Sequence, residues 1–194
     1  MRKLYLKLLT IVFLVTAASA APKSIFLVGT TLTTATTGGF SIIFTQEIAQ
    51  QFVLDVNGKS TSITFAVTGS WESNATAGSD VPFLAQLTNG IGPGSIVLAQ
   101  QQFTFVAQPN LYATTFSFSG AKKLPPGTYY LVLSTMGTAD IGFLSWAPQG
   151  EIISPFGHIG SAYCADPTGY ANPNEAAFSP CTTPQTMQFQ LIGK

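Results

Sequence analysis

Apolar and polar positions alternate with a period of two along most of the chain after residue 24. Ile63, Phe65 and Val67 are separated by Thr64 and Ala66, and Val81, Phe83, Ala85 and Leu87 by Pro82, Leu84 and Gln86. Successive side chains of a strand point to opposite faces, so each run predicts one face against a core and one toward solvent. Phe103 and Phe105, Phe116 and Phe118, and Met187, Phe189 and Leu191 repeat the pattern. A helix would need apolar residues three and four apart over ten or more positions. Only Phe44 to Leu54 approaches that spacing, and Gln50 to Val56 reads better as a strand with Phe52, Leu54 and Val56 inward.

Turn formers stand between these runs: Asn57-Gly58, Asn89-Gly90 with Gly92-Pro93-Gly94, Pro109-Asn110, Pro125-Pro126-Gly127 and Gly137. Their spacing implies roughly nine or ten short strands. Many strands without intervening helices predict an all-β chain, a two-sheet antiparallel β-sandwich. Uncharged Ser, Thr and Gln fill the outward positions and resist aggregation weakly, so the sheet edges are expected to be shielded.

The first residues follow another pattern. Arg2, Lys3 and Lys7 precede an apolar run from Leu8 to Ala17, and Ala18-Ser19-Ala20 has the small residues of a cleavage site. A secretory signal peptide over 1–20 is expected. That leaves residues 21–194 as a single domain, secreted or periplasmic. The apolar run is too short to serve as an anchor, and no later run approaches bilayer length, so no membrane span is expected after cleavage.

Only two cysteines occur, Cys164 and Cys181. In an oxidising compartment they are expected to form a disulfide. It would close a loop worth about 3 kcal/mol in the chain-entropy picture. They fall within Gln149 to Pro184, a Pro-rich stretch without clear alternation that reads as one long loop.

Composition narrows the function. Lys and Arg number 8, Asp and Glu 8, and charged residues make up 8% of the chain. With residues 1–20 removed, five basic groups face eight acidic ones, a formal balance of −3. Such a surface is a poor partner for nucleic acid.

Three segments together resemble the jelly-roll domains of bacterial exported proteins of the PEP-CTERM-associated type. They are Asn89-Gly90-Ile91-Gly92-Pro93-Gly94-Ser95-Ile96-Val97-Leu98-Ala99, Leu124-Pro125-Pro126-Gly127-Thr128-Tyr129-Tyr130-Leu131-Val132-Leu133 and Met187-Gln188-Phe189-Gln190-Leu191-Ile192-Gly193. The resemblance covers roughly residues 48 to 193. It implies a jelly-roll-like sandwich acting at the cell surface or in the matrix, with no catalytic residues to carry over. The family's sorting tail is not seen after Lys194, which favours a released or periplasmic protein.

Chemistry-bearing residues are few. The single histidine, His158, is expected on a surface loop, and a trio of Ser154, His158 and Asp166 carries little information where no Gly-x-Ser-x-Gly elbow occurs. Glycoside hydrolysis would need two carboxyl groups about 5 to 10 Å apart. Glu72 with Asp80, or Glu151, Asp166 and Glu175, are the acids available to a small secreted glycoside-active enzyme. No cofactor is expected, and a structural calcium is not indicated, since no Asp-x-Asp-x-Asp-Gly run occurs. Sugar binding needs aromatic rings for the apolar face of a pyranose and amides for its hydroxyls. Trp71, Trp146, Tyr163 and Tyr170 are the candidate rings, and Asn172, Asn174 and Gln149 the candidate amides. The expected function is therefore a non-catalytic envelope or matrix protein that contacts a polysaccharide or cell-surface glycan. A third reading is a purely structural surface protein assembling through its sheet edges.

Overall fold

The computed structural model describes residues 25–32, 40–42, 47–57, 63–72, 80–106, 112–118, 123–135, 143–146, 151–165, 177–181 and 186–193. The expected signal segment lies outside them. Among the described residues there are twelve strands and no helix: β1 (Ile25–Gly29), β2 (Phe40–Ile42), β3 (Glu47–Leu54), β4 (Ile63–Glu72), β5 (Asp80–Thr88), β6 (Val97–Val106), β7 (Tyr112–Phe118), β8 (Gly127–Thr135), β9 (Phe143–Trp146), β10 (Gly157–Ala165), β11 (Ser179–Pro180) and β12 (Phe189–Gly193). Three of them, β2, β9 and β11, have two to four residues, too few to announce themselves by alternation.

All pairings between strands are antiparallel and build two sheets. One runs β1-β12-β4-β9-β2, with β7 also on β4; the other runs β11-β10-β3-β8-β5-β6. Phe65 pairs with both Phe116 and Leu191, and Gly69 with both Tyr112 and Trp146. The long β4 therefore carries β7 along one edge and β12 followed by β9 along the other. The two sheets share one core, with Leu27, Val28, Phe118, Phe189 and Leu191 from the first and Ile48, Phe52, Leu54, Phe83, Leu87, Leu131 and Leu133 from the second. The Phe52 ring lies 5.6 Å from that of Phe189 in the other sheet and 5.7 Å from that of Tyr129 in its own. The architecture is sandwich-like. Each fully buried Leu, Ile or Phe contributes about 2 kcal/mol by leaving water.

The inward positions of the alternation are buried where the side chains are described, and several outward ones, among them Ala49, Gln86, Val132 and Gln188, are buried as well. Phe83, Ala85 and Leu87 are fully buried, and so are Met187, Phe189 and Leu191. Val56 differs from expectation. The ladder ends at Leu54, and the Asp55 N–H turns to the Phe156 carbonyl (3.0 Å). Val56 has left the strand and stands exposed.

Gln149 to Pro184 is likewise not one long loop. It contains β10, nine residues that pair with β3 along one edge and with β11 along the other. The alternation is broken there by a bulge between Ile159 and Ala162. It is masked further by Gly157 and Gly160, where a Cβ would run into the Val53 carbonyl and the Gln51 side chain respectively. The bulge is satisfied by a polar side chain inside the core. Gln50 is fully buried, donates to the Gln51 (2.9 Å) and Gly160 (3.0 Å) carbonyls, and accepts from the Met187 N–H (2.7 Å). One carboxamide thus ties β3, the β10 bulge and the approach to β12 together, as a buried amide must find partners.

The connection 151–156 runs along β1 before entering β10. Thr31 N–H bonds the Glu151 carbonyl (2.8 Å), Ile153 N–H that of Gly29 (2.9 Å), and Phe156 N–H that of Leu27 (3.2 Å). It shields the outer edge of β1 and links the two sheets. At the β5–β6 hairpin, Gly92 and Gly94 take φ of 84° and 87°, which side chains disfavour. Asn89 closes that hairpin, accepting the Ile96 N–H on Oδ1 at 2.8 Å.

Candidate functional site

The inner face of β3 carries Ile48, Gln50, Phe52 and Leu54, so Glu47, Ala49, Gln51 and Val53 point away from the core. Cross-strand register extends this outward face on both sides. Tyr163 and His158 of β10 stand opposite Ala49 and Val53, and Tyr130 of β8 stands opposite Gln51. Farther along, Gln86 of β5 lies opposite Val132 of β8 and Gln100 of β6. Among these described side chains only Glu47 is acidic, and none is Lys or Arg.

Tyr130 and Tyr163 belong to strands separated by β3, hence by about 9.5 Å of backbone. Their ring centroids are nonetheless 5.9 Å apart at 66°, an edge-to-face contact. The rings close over β3, where the small Ala49 is fully buried beneath them. Both tyrosines stay partly exposed. Gln51 braces the pair by donating from Nε2 to the Tyr130 hydroxyl at 2.8 Å. Its side chain lies over Gly160, which has no Cβ to obstruct it. On the far side of Tyr163, Pro180 of β11 stands opposite and exposed. The Cys164–Cys181 disulfide, with Cα atoms 5.0 Å apart, holds this short strand to β10. The expected disulfide therefore does more than close a loop: it fixes the flank of an aromatic pair.

Two side chains of this face hold polar atoms in unusual surroundings. Glu47 is 2% exposed, and its Oε2 is buried without a hydrogen-bond partner. Burial pushes its carboxyl from 4.5 up to about 7. Gln86 donates to Gln100 Oε1 (3.3 Å), while its own Oε1 is buried and unpartnered. In the core, burial also raises the Tyr129 phenol, whose hydroxyl donates to the Pro125 carbonyl at 2.7 Å.

The structure treats the sequence candidates unequally. Tyr163 is part of the aromatic pair. Trp71 lies opposite Leu144 and Trp146 opposite Gly69, both in the other sheet, and only their backbones are described. Tyr170, Asn172, Asn174, Gln149 and Asp166 lie outside the described residues. His158 is exposed as expected, but on a strand rather than a loop. Ser154 trades hydrogen bonds with the Gly29 backbone at 3.4 and 3.5 Å. Glu72 ends a strand of one sheet and Asp80 begins a strand of the other. No group of three or more His, Cys, Asp or Glu suited to a metal occurs among the described residues. Tyr130 and Gln51 were not singled out by sequence. The Thr128-Tyr129-Tyr130 run was visible, but only register across β3 tells which tyrosine faces outward.

No helix among the described residues is long and apolar enough to cross a membrane. No family model matches the chain, and no curated protein matches it.

Proposed function

We propose that this is an exported, non-catalytic β-sandwich of jelly-roll type that binds an uncharged glycan on the outward face of the β10–β3–β8 sheet. The order β1-β12-β4-β7 in one sheet and β3-β8-β5-β6 in the other supports the jelly-roll reading. Apart from the β5–β6 hairpin, successive members of these eight strands lie in opposite sheets, as two Greek keys require. The disulfide accords with an oxidising destination.

The observation that carries the binding role is the Tyr130–Tyr163 pair with its Gln51 brace. Partly exposed rings offer an apolar surface to the C–H face of a pyranose, and neighbouring amides and hydroxyls serve its oxygen atoms. A ring held by a bonded neighbour and a disulfide-fastened strand loses little freedom when it binds. Affinity electrophoresis in gels containing neutral polysaccharides tests the role. Retarded migration of the protein, abolished by Tyr163→Ala, is the expected result. Equal migration with and without every polysaccharide would contradict it.

Glu47 favours a second reading, a small glycoside-active enzyme, because a carboxyl kept protonated near neutrality is one half of a hydrolytic pair. That reading requires a second carboxyl within about 10 Å. Release of reducing ends from a retained polysaccharide, lost in Glu47→Gln, would establish it.

A further inference from the structure

Sheet edges invite pairing with another chain unless they are short, charged, bulged or covered. The described edges differ in this respect. β1 is covered by 151–153, β2 has three residues, and β11 has two, one of them proline. β7 ends the other sheet on β4 with seven residues, and β6 is the longest edge: it ends its sheet, has ten residues, and pairs only with β5 among the described residues. It holds no proline, and no charged residue stands anywhere between Asp80 and Lys122. Its irregularity falls at the hairpin, between Leu87 and Thr88 of its partner, and leaves Ala99 onward in regular register.

We infer that the free edge of β6 is a self-association surface that pairs with β6 of a second copy of this chain, antiparallel about a two-fold axis at Gln101. The strand suits such a union because its centre is nearly palindromic. Turning Ala99-Gln100-Gln101-Gln102-Phe103 end over end places Gln100 opposite Gln102, Gln101 opposite itself, and Ala99 opposite Phe103. Position parity is kept, so outward residues meet outward ones. Gln100 and Gln102 are exposed and would meet as amide pairs; Phe103 is half-buried against the core and would gain the small Ala99 as its neighbour. A neutral strand has nothing to repel its own copy. The Gln101 amide already donates to the exposed Gln102 carbonyl at 2.8 Å, so an exposed main-chain acceptor is served by a side chain that can give way. The product is an isologous dimer with one continuous twelve-stranded sheet, closed by its own symmetry. This surface lies at the opposite end of the sheet from Tyr163, so dimerisation would place two glycan faces on one sheet without blocking either.

Sedimentation equilibrium over a concentration series tests the inference, with Gln102→Lys and Gln101→Cys as variants. The protein is expected to double in mass with rising concentration. Gln102→Lys sets two ammonium groups diagonally across the two-fold axis and is expected to remain monomeric, with an unchanged melting temperature at dilutions where the unaltered protein is itself monomeric, because Gln102 is exposed. Gln101→Cys is expected to form a dimer that reductant dissolves, since residues paired on the axis lie within disulfide reach. A monomer at every concentration, or a dimer that persists in Gln102→Lys, would overturn the assignment. Glycan retention with no dimer would refute this inference alone, and a dimer without glycan retention would refute only the binding reading.

Discussion

Glu47 offers a sharp test of the outward face. Glu47 stands opposite Ala165 on β10, with Ile48 and its partner Leu133 in the next register step. The displacement from 4.5 to about 7 arises from desolvation. At about 1.36 kcal/mol per unit, the ionised folded state is penalised by about 3 kcal/mol. The unfolded chain loses this proton near 4.5 and the folded chain near 7. Below both values the stability is fully present. It declines between them as the unfolded state gives up the proton first, and it levels off above the folded value. Glu47→Gln resembles the protonated acid in shape and cannot ionise. Urea unfolding should therefore give the variant nearly the stability of the unaltered protein at about pH 4, and an advantage of about 3 kcal/mol at about pH 8. Profiles that run parallel across this range would refute the reasoning, because Glu47 would then be as well solvated folded as unfolded.

Other consequences can be measured alongside it. Gln50→Leu keeps the volume but orphans the Met187 N–H and the Gly160 carbonyl, at about 1–3 kcal/mol for each group left unsatisfied, read from urea midpoints. Replacing both Cys164 and Cys181 by serine should lower stability by about 3 kcal/mol, given their separation of 17 residues, and should weaken glycan retention by freeing β11 beside Tyr163. Gly160→Ala pushes the Gln51 amide off the Tyr130 hydroxyl, so retention should fall while the far-ultraviolet dichroism stays that of a β protein. Tyr129→Phe removes the bond to Pro125 and should cost about 1 kcal/mol without altering retention, since that ring faces the core.

The sandwich was legible because its core strands obey the simplest rule of sheet chemistry. Phe83-Leu84-Ala85-Gln86-Leu87, interrupted only by Leu84, and Met187-Gln188-Phe189-Gln190-Leu191 alternate, and their odd positions are buried. The disulfide was legible because two cysteines leave a single pairing. Strand β10 was not, because its glycines answer to neighbours far off in sequence: Gly160 is small on account of Gln51, and the bulge is satisfied by Gln50. Gln50 reads as an outward residue by polarity alone and is buried inward, while Gln86 and Gln188 alternate with the inward positions as read yet are buried too. The aromatic pair was half visible. Tyr163 is named by sequence as a candidate ring for a sugar, but its contact with Tyr130 depends on two registers and on the smallness of Ala49 between them.

The central claim is that the outward face around Tyr130, Tyr163 and Gln51 is where a glycan lies. The most direct test is amide chemical-shift mapping of the protein titrated with an oligosaccharide cut from the neutral polysaccharide that retards it most. Shifts concentrated at residues 49–53, 128–132 and 161–165, and absent in Tyr163→Ala, are predicted. Shifts confined to the Trp71 and Trp146 strands, or none at saturating oligosaccharide, would contradict the account.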